Sequence, residues 1–426
     1  MEVKSMAVEA AVKKNGKKLS LTTQIVIGTI GGIVFGALIG PWAANFKFLG
    51  DVWIRMLQMS MVPLVMTAVA MAVGGTEARS VGKMGALAVK WILTFTLIST
   101  ALGYVLGLIF QPGVGVTIID PAQITEIPQA SSFQDTILSF FSTNIIGSMA
   151  SGAMVACMVF SILFGLGMSA YTTNSGDTSV INGVKALNAC ILNIIKIVMK
   201  LAPIGVFCLL ANAAGTIGFG IIIPMVKFYG AMLVGVIIQF LIYFPLAAML
   251  CKISPLKMPK KFAKMSVVAL TTTSSAISLP TEMEDAVTKF GISRRVVDFV
   301  APIGMSMNST GAAQCYILVI LFLSQASGVV LSPMQIGLAV LLSVLMSTGN
   351  VGIPGATVVT YTFLAASMGL PLDGIALLLG IDWFVGQLRT VLNVDVDVLI
   401  ALLVANKTGE LDRDVYNEKK AVQYVQ

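Results

Sequence analysis

Residues Gly380 to Asp397 read GIDWFVGQLRTVLNVDVD, and this stretch decides how the rest of the chain is read. It lies inside an apolar run from Ile375 to Val404, yet it carries Asp382, Arg389, Asn393, Asp395 and Asp397. Ionisable groups at membrane depth cost several kcal/mol unless they face protein or water, so they mark a functional site by default. On a helix turning about 100° per residue, with Asp382 as zero, Gly386 falls at about 40°, Arg389 at about −20° and Asn393 at about 20°. Thr390 and Asp397 fall at about 80° and 60°, so six residues share one arc. Asp395 falls at about 220°, on the opposite side, and is placed outside the site. A salt bridge that merely orients helices would not call for an Asn and a Thr on the same arc.

The bulk composition agrees with a membrane setting. Of 426 residues 57% are hydrophobic and 11% charged, with a mean hydropathy of +0.92. Soluble domains carry about 25% charged residues, so the chain reads as a polytopic membrane protein. The net charge of +7 does not point to nucleic acid, because the Lys and Arg residues cluster in short loops between apolar runs, as the positive-inside rule expects. Lys13, Lys14, Lys17 and Lys18 precede the first apolar run, which no small-residue cleavage site follows, so it reads as a retained span and not a signal peptide. The chain has no histidine, which removes His-dependent triads and the HExxH metalloprotease helix. Its five cysteines stand singly in apolar segments without a C-x-x-C, so neither a disulfide framework nor a thiolate metal site is expected. No Walker loop and no GxGxxG after a strand is present, and no cofactor is expected.

In chain order, spans are expected at Leu21–Ala44, Val52–Val73 and Gly85–Phe110, with Trp42 and Trp53 as interface anchors. Gln111–Asp135 has acids but no Lys or Arg and reads as external. Thr136–Ala170 is too long for one straight crossing and reads as a broken fourth element. Val184–Ala213 and Ile217–Leu250 make the fifth and sixth, returning the chain to a cytoplasmic Lys252, Lys257, Lys260, Lys261 and Lys264. Thereafter the pattern changes. Phe262–Phe290 is interrupted by TTTSSAISLP (Thr271 to Pro280), starts and ends at basic residues, and reads as a re-entrant helical hairpin. Val296–Ser324 crosses outward and is interrupted by GMSMNSTGAAQ (Gly304 to Gln314). Pro333–Leu370 carries STGNVGIPGATVV (Ser347 to Val359) with no basic residue and reads as a second hairpin entered from outside. Leu372–Val404 crosses inward. A kinked span with Ser and Thr bonded back to the helix explains either tip alone. Two tips with opposite loop charges read better as the inverted repeat with broken helices from which many secondary transporters build a midplane site.

Helix N-termini at such tips offer free N–H groups and a partial positive charge. Ser274, Ser275 and Ser278 on the first tip, and the turn Gly352, Ile353, Pro354 and Gly355 on the second, are therefore candidates to cradle a carboxylate. Arg389 adds a planar, permanently charged fork for a second carboxylate. Asn308, Asn393 and Asp397, with carbonyls freed where the seventh span breaks, make an oxygen cage suited to a small monovalent cation. Asp382 and Arg389, two turns apart on one face, are expected to pair when no substrate is bound.

These four polar stretches, in this order, resemble the dicarboxylate/amino acid–cation symporter family, which includes the excitatory amino acid transporters and the archaeal aspartate transporters. The resemblance runs in outline from Leu21 to Lys407 and is specific from Lys257 onward, with DWFVGQLRTVLNVDVD closest to the family's last span. It implies an all-α membrane protein of eight transmembrane segments and two oppositely oriented re-entrant hairpins. It also implies a cytoplasmic tail at 1–20, a scaffold and trimerisation region at 21–256 whose third and sixth spans can belong to the moving part, a transport core at 257–407, and a cytoplasmic tail at 408–426. Further implied are a homotrimer in the lipid of the inner (plasma) membrane with both termini cytoplasmic, a small anionic substrate, and sodium ions or protons as coupling ions. In that family Arg389 would hold the substrate's side-chain carboxylate and Thr390 and Asn393 its main-chain groups. Asp397 would complete a sodium site with Gly304 and Asn308, and Ser306, Ser347, Thr348 and Asn350 would correspond to a second sodium site.

Two departures stand out. The family's amine-binding aspartate, one turn before the arginine, is Gly386 here, and its NMDGT-like motif reads Asn308-Ser309-Thr310-Gly311-Ala312. The loss at Thr310 puts a third sodium site in doubt, and Ala312 is similar to the serine/threonine branch. A symporter of a dicarboxylate or acidic amino acid is the leading reading. A neutral amino acid transporter, an uncoupled anion channel and, more remotely, an intramembrane enzyme stand as alternatives.

Overall fold

The computed structural model describes residues 21–74, 82–116, 138, 141–348 and 356–420. Among them the chain is helical throughout, with a single isolated bridge between Ile292 and Leu411 and no extended strand. The helices are α1 (Leu21–Ile39), α2 (Lys47–Gln58), α3 (Met61–Gly74), α4 (Gly82–Phe110), α5 (Ile145–Ser151), α6 (Met154–Ser175), α7 (Ser179–Met199), α8 (Ala202–Ile217) and α9 (Ile222–Cys251). They continue as α10 (Met258–Thr272), α11 (Ser275–Thr288), α12 (Arg294–Met307), α13 (Thr310–Ala326), α14 (Pro333–Thr348), α15 (Ala356–Ser367), α16 (Ile375–Thr408) and α17 (Arg413–Tyr416). Among the described residues six helical stretches are long and apolar enough to cross a membrane.

Prolines account for most differences from the expected spans. The second run divides into α2 and α3 around Met59 and Ser60 because Pro63 has no N–H to give Met59, and a proline tolerated in the first turn breaks a helix interior. The fifth run, expected as one span, is two helices for the same reason. Pro203 sits in the first turn of α8, and α7 ends at Met199. The fourth run is broken as expected, at Gly152 between α5 and α6. The first polar tip turns at Thr273, whose φ of 49° is left-handed, followed by Ser274 as the N-cap of α11. The seventh run breaks at Asn308 and Ser309 between α12 and α13. By contrast α16 runs 34 residues without interruption, about 50 Å at 1.5 Å per residue, which holds its charged arc in one rigid register; it is not one of the six apolar stretches.

The helices pack in two groups. In one, α8 lies along α1 and α2, and α3 packs on α6 and α7. In the other, α16 is surrounded by α9, α10, α12 and α13, while α4 packs on α13. The two meet where α16 touches α1 and α8 and where α15 touches α2, α3 and α6. Burial is deepest in α13 and in α16 beyond Leu388, where nearly every residue is enclosed. Trp53, expected as an interface anchor, is instead 2% exposed. It packs on the backbone of Gly205 in α8, where a Cβ would fall 2.5 Å from the indole ring.

The closest backbone approach in the first group depends on glycine. A Cβ on Gly32 would lie 2.6 Å from the carbonyl oxygen of Phe207, and one on Gly36 would overlap Ala211. Small residues let membrane helices pack this closely. Gly32→Val is expected to push α1 off α8 and cost about 1–3 kcal/mol by overpacking, read as a lower unfolding midpoint in detergent. Gly167→Ala, where a Cβ meets nothing within 4 Å, is expected to leave the midpoint unchanged.

Candidate functional site: an anion pocket backed by a cation cage

A cavity of about 740 Å³ lies between the two groups of helices. Asp382, Gly386, Arg389, Thr390 and Asn393 of α16 form one wall, and Trp53 of α2 with Ala202 and Val206 of α8 contribute to the other. Five of the six residues of the predicted arc thus face one space. The sixth, Asp397, is fully buried one turn beyond Asn393. The helical period brought them together because α16 is unbroken.

Three helix starts line this cavity. Ser274, Ser275 and Ala276 bring the beginning of α11, Thr357 and Val358 the first turn of α15, and Ser309 the beginning of α13. The first N–H groups of a helix have no intrahelical acceptor and carry a partial positive charge, so the starts of α11 and α13 present anion-seeking ends to the cavity. Ser274 uses its hydroxyl to cap α11, accepting from the N–H of Ile277 at 3.4 Å. Ser278 lies a turn deeper, fully buried, with its hydroxyl donated to the carbonyl of Ser274 at 2.9 Å, and is not part of the cavity wall. Gly352, Ile353, Pro354 and Gly355, expected to cradle the same anion, lie outside the described residues.

Arg389 is 9% exposed. Its Nη2 donates to Asp382 Oδ1 at 2.9 Å and to Thr357 Oγ1 at 3.3 Å. The same carboxylate oxygen accepts from the Tyr361 hydroxyl at 3.0 Å, and Tyr361 in turn meets the Cys315 thiol at 3.1 Å. The expected pairing of Asp382 with Arg389 is therefore present, and it engages one nitrogen of the fork. Thr357, Tyr361 and Cys315 were not singled out from sequence, because they come from α13 and α15 and no spacing links them to the arc. A Cβ on Gly386 would have room, meeting only Arg389 Nη2 at an ordinary contact distance of 3.5 Å. Thr390 turns its hydroxyl to the Gly386 carbonyl at 2.8 Å.

Behind the cavity, the break between α12 and α13 meets α16. Asn308 donates from Nδ2 to Asp397 Oδ1 at 2.8 Å and to the main-chain oxygen of Asn393 at 3.1 Å. Thr310 donates to Asn308 Oδ1 at 2.5 Å. Asn393 Oδ1 accepts from the Gly311 N–H at 2.8 Å. Gly304 lies against Asp397 so closely that a Cβ would overlap the carboxylate. Asp397 Oδ2 is buried and has no hydrogen-bond partner. An orphaned carboxylate oxygen beside the last carbonyls of a broken helix is a donor set that fits a small hard cation. Of the second expected cation set, Ser306 lines the cavity and bonds the Ile303 carbonyl at 3.0 Å. Ser347 and Thr348 donate to their own helix at Val344 and Leu345, and Asn350 lies outside the described residues.

A polar pocket made by broken helices inside an apolar helical protein defines a solute transporter more readily than an enzyme. The sequence profile of the sodium:dicarboxylate symporter family matches residues 21–407. The chain belongs to that family, and it is a transporter, not an enzyme. It is 30% identical over 426 residues to a proton/glutamate-aspartate symporter of Escherichia coli, covering 96% of each chain. It is 29% identical to a proton/sodium-glutamate symport protein of Bacillus subtilis, covering 95% of each, and 30% identical to a C4-dicarboxylate transport protein of Rhizobium johnstonii, covering 95% of this chain and 93% of that one.

The Arg389 geometry carries a direct expectation. Arg389→Lys keeps the charge and loses the fork, so binding of a carboxylate substrate to the purified protein should weaken by about 1.5–3 kcal/mol, tens- to hundredfold in Kd. Calorimetric titration checks this, and an unchanged Kd would make the residue a structural one.

Proposed function

We propose that this protein is a secondary active symporter that carries a small dicarboxylate or acidic amino acid across the plasma membrane, driven by a sodium or proton gradient. The observation that carries the reading is Arg389, enclosed to 9% exposure and aimed into a cavity onto which the starts of α11 and α13 converge. That combination attracts a compact anion, and a guanidinium spent on one oxygen of Asp382 has donors to spare for a second carboxylate. The alternatives are weaker on the same ground, since a neutral substrate leaves the charge of Arg389 without a use. The names of the relatives, which span glutamate, aspartate and C4-dicarboxylates, agree with the anionic class.

The packing of the helices supports a division into working parts. The pair α10–α11 and the pair α14–α15 act as re-entrant hairpins, each helix of 12–16 residues being too short to span alone. With α12–α13 and α16 they form the moving core, 257–407. The packing of α4 on α13 and of α9 on α16 supports assigning the third and sixth spans to that core as well. The remaining helices of 21–256 form the scaffold of a homotrimer, and both tails, 1–20 and 408–426, are cytoplasmic. Asp397, Asn308, Asn393 and Gly304 hold the coupling cation. Because Asn393 lines the anion cavity and also bonds Asn308 and Gly311 behind it, ordering of either site favours the other.

Gly386 sets the substrate preference. An ammonium group at this depth needs an anionic partner, and glycine offers none. Asp382 is engaged by Arg389 and Tyr361, and Asp397 is shut behind Asn308. The preferred substrate therefore carries two carboxylates and no required amino group. Gly386→Asp, which the open Cβ position admits, should weaken succinate binding about tenfold by placing a like charge beside it and strengthen aspartate binding. Competition for uptake among succinate, fumarate, aspartate, glutamate and serine in proteoliposomes tests the class. If aspartate or serine displaces the label far better than succinate in the unmutated protein, the dicarboxylate preference is wrong. If nothing anionic competes, the symporter reading itself fails.

Asp397→Asn removes the carboxylate from the cation cage while preserving its shape. The dependence of substrate affinity on the driving cation should flatten in this variant, with the protein still folded. An unaltered cation dependence would take Asp397 out of the ion site.

A further inference from the structure

One buried acid outside the anion pocket and the cation cage has no hydrogen-bond partner on either oxygen. Glu282, on α11, is 1% exposed, and both of its carboxylate oxygens are enclosed without a hydrogen-bond partner. Its neighbours on the same helix are differently provided for. Glu284 is exposed and pairs with Lys264 at 2.9 Å, and Asp285 pairs with Lys289 at 2.8 Å and Lys264 at 3.7 Å. The elements packed on α11 are α10, α12 and α16. From α16 the charges that act on Glu282 are those of Asp397 and Asp395, both of like sign. From α10, Lys264 is engaged as above and Lys261 by Glu418 at 3.3 Å. From α12, Arg294 is engaged by Asp298 at 2.8 Å and Arg295 faces Glu410 at 3.9 Å. Asp395 takes the hydroxyl of Ser266 at 2.7 Å, and no hydrogen bond joins Glu282 to it or to Asp397.

An ionised carboxylate sealed from water with no donor to either oxygen is several kcal/mol uphill of its neutral form. A multidentate acidic metal site does not resolve this, since among the described residues no three Asp, Glu, Cys or His side chains converge. A proton does, at the cost of one water-borne hydronium. We propose that Glu282 is a proton-carrying site of the transport cycle, which binds one proton to its carboxylate when α10 and α11 are closed on α16 and returns it to water when that hairpin opens. This rests on the symporter reading above and deepens it by naming the proton as a coupling ion alongside the cation at Asp397. The place is apt, because Glu282 sits two turns beyond Ser274 and Ser275, which line the anion cavity. Movement of one hairpin then exposes substrate and proton together.

The test uses full-length protein in proteoliposomes with a trapped pH dye and labelled succinate, aspartate being run in parallel. In the unmutated protein, entry of the label should acidify the interior, and apparent affinity should fall as external pH rises, by up to about tenfold per pH unit for one linked proton. Glu282→Gln, the neutral isostere, should carry the label without acidification and with a flat pH dependence, and Glu282→Asp should restore both. The infrared band of protonated buried carboxyls at neutral pH should lose the intensity of one group in Glu282→Gln relative to the unmutated protein, Asp395 and Asp397 being unchanged between the two. Should glutamine prevent folding, Glu282→Met takes its place, and a label entry with no proton movement in the unmutated protein overturns the proposal by itself. The same proton-to-label ratio in Glu282→Gln as in the unmutated protein also overturns it. If neither label is transported at all, the symporter reading fails, and the infrared difference alone decides whether Glu282 holds a proton.

Discussion

A guanidinium enclosed at membrane depth must be balanced by something anionic, and in this protein the balance is deliberately incomplete. Arg389 is held through one nitrogen by one oxygen of Asp382, which Tyr361 also steadies. Fully satisfied, the pair would be an inert strut, and unsatisfied, it would not survive burial. The partial pairing keeps the charge tolerable when the pocket is vacant while leaving donors for a substrate carboxylate. The surrounding fold serves that arrangement. The uninterrupted α16 fixes the arc in register, and the interrupted helices on either side supply backbone ends that a continuous span would have consumed internally.

The link between anion and cation is equally physical. Asn393 has its amide oxygen on the N–H of Gly311, its main-chain oxygen on Asn308, and its side chain in the cavity wall. Asn308 continues the chain to Asp397, whose second oxygen waits for a partner. On the proposed symport, a cation drawn to Asp397 and the carbonyls around the break would order Asn308, hence Asn393, hence the pocket. The reverse order of events has the same free energy, which is the content of coupling. Thr310 tightens this chain by donating its hydroxyl to Asn308 Oδ1.

The legible part of the site was the part that lies on one continuous helix. Asp382, Gly386, Arg389, Thr390 and Asn393 share a wall because a 100° step per residue is a strong constraint over a rigid 34-residue helix. The same arithmetic put Asp395 on the far side, where it bonds Ser266. Partners contributed by other helices had no such signature. Thr357 and Tyr361 come from α15, whose spacing says nothing of α16, and Glu282 stands in TEMED beside Glu284 and Asp285, both of which are paired with lysines. Proline was underweighted. Pro63 and Pro203 split two runs that hydropathy joined, since apolar composition measures membrane affinity and is blind to a missing N–H. Trp53 was misread for a related reason, because a glycine on a neighbouring helix opened a buried berth for it.

The most direct test of the account is the linkage between anion and cation in the purified, detergent-solubilised protein. Succinate binding should be measured by calorimetry over a range of sodium concentrations at fixed pH, and over a range of pH at fixed sodium. The account predicts that succinate affinity rises steeply with one or both cations, and that sodium or proton affinity rises by the same factor when succinate is bound. Succinate binding that is tight and indifferent to both cations, or no binding of any dicarboxylate or acidic amino acid under any of these conditions, would contradict it.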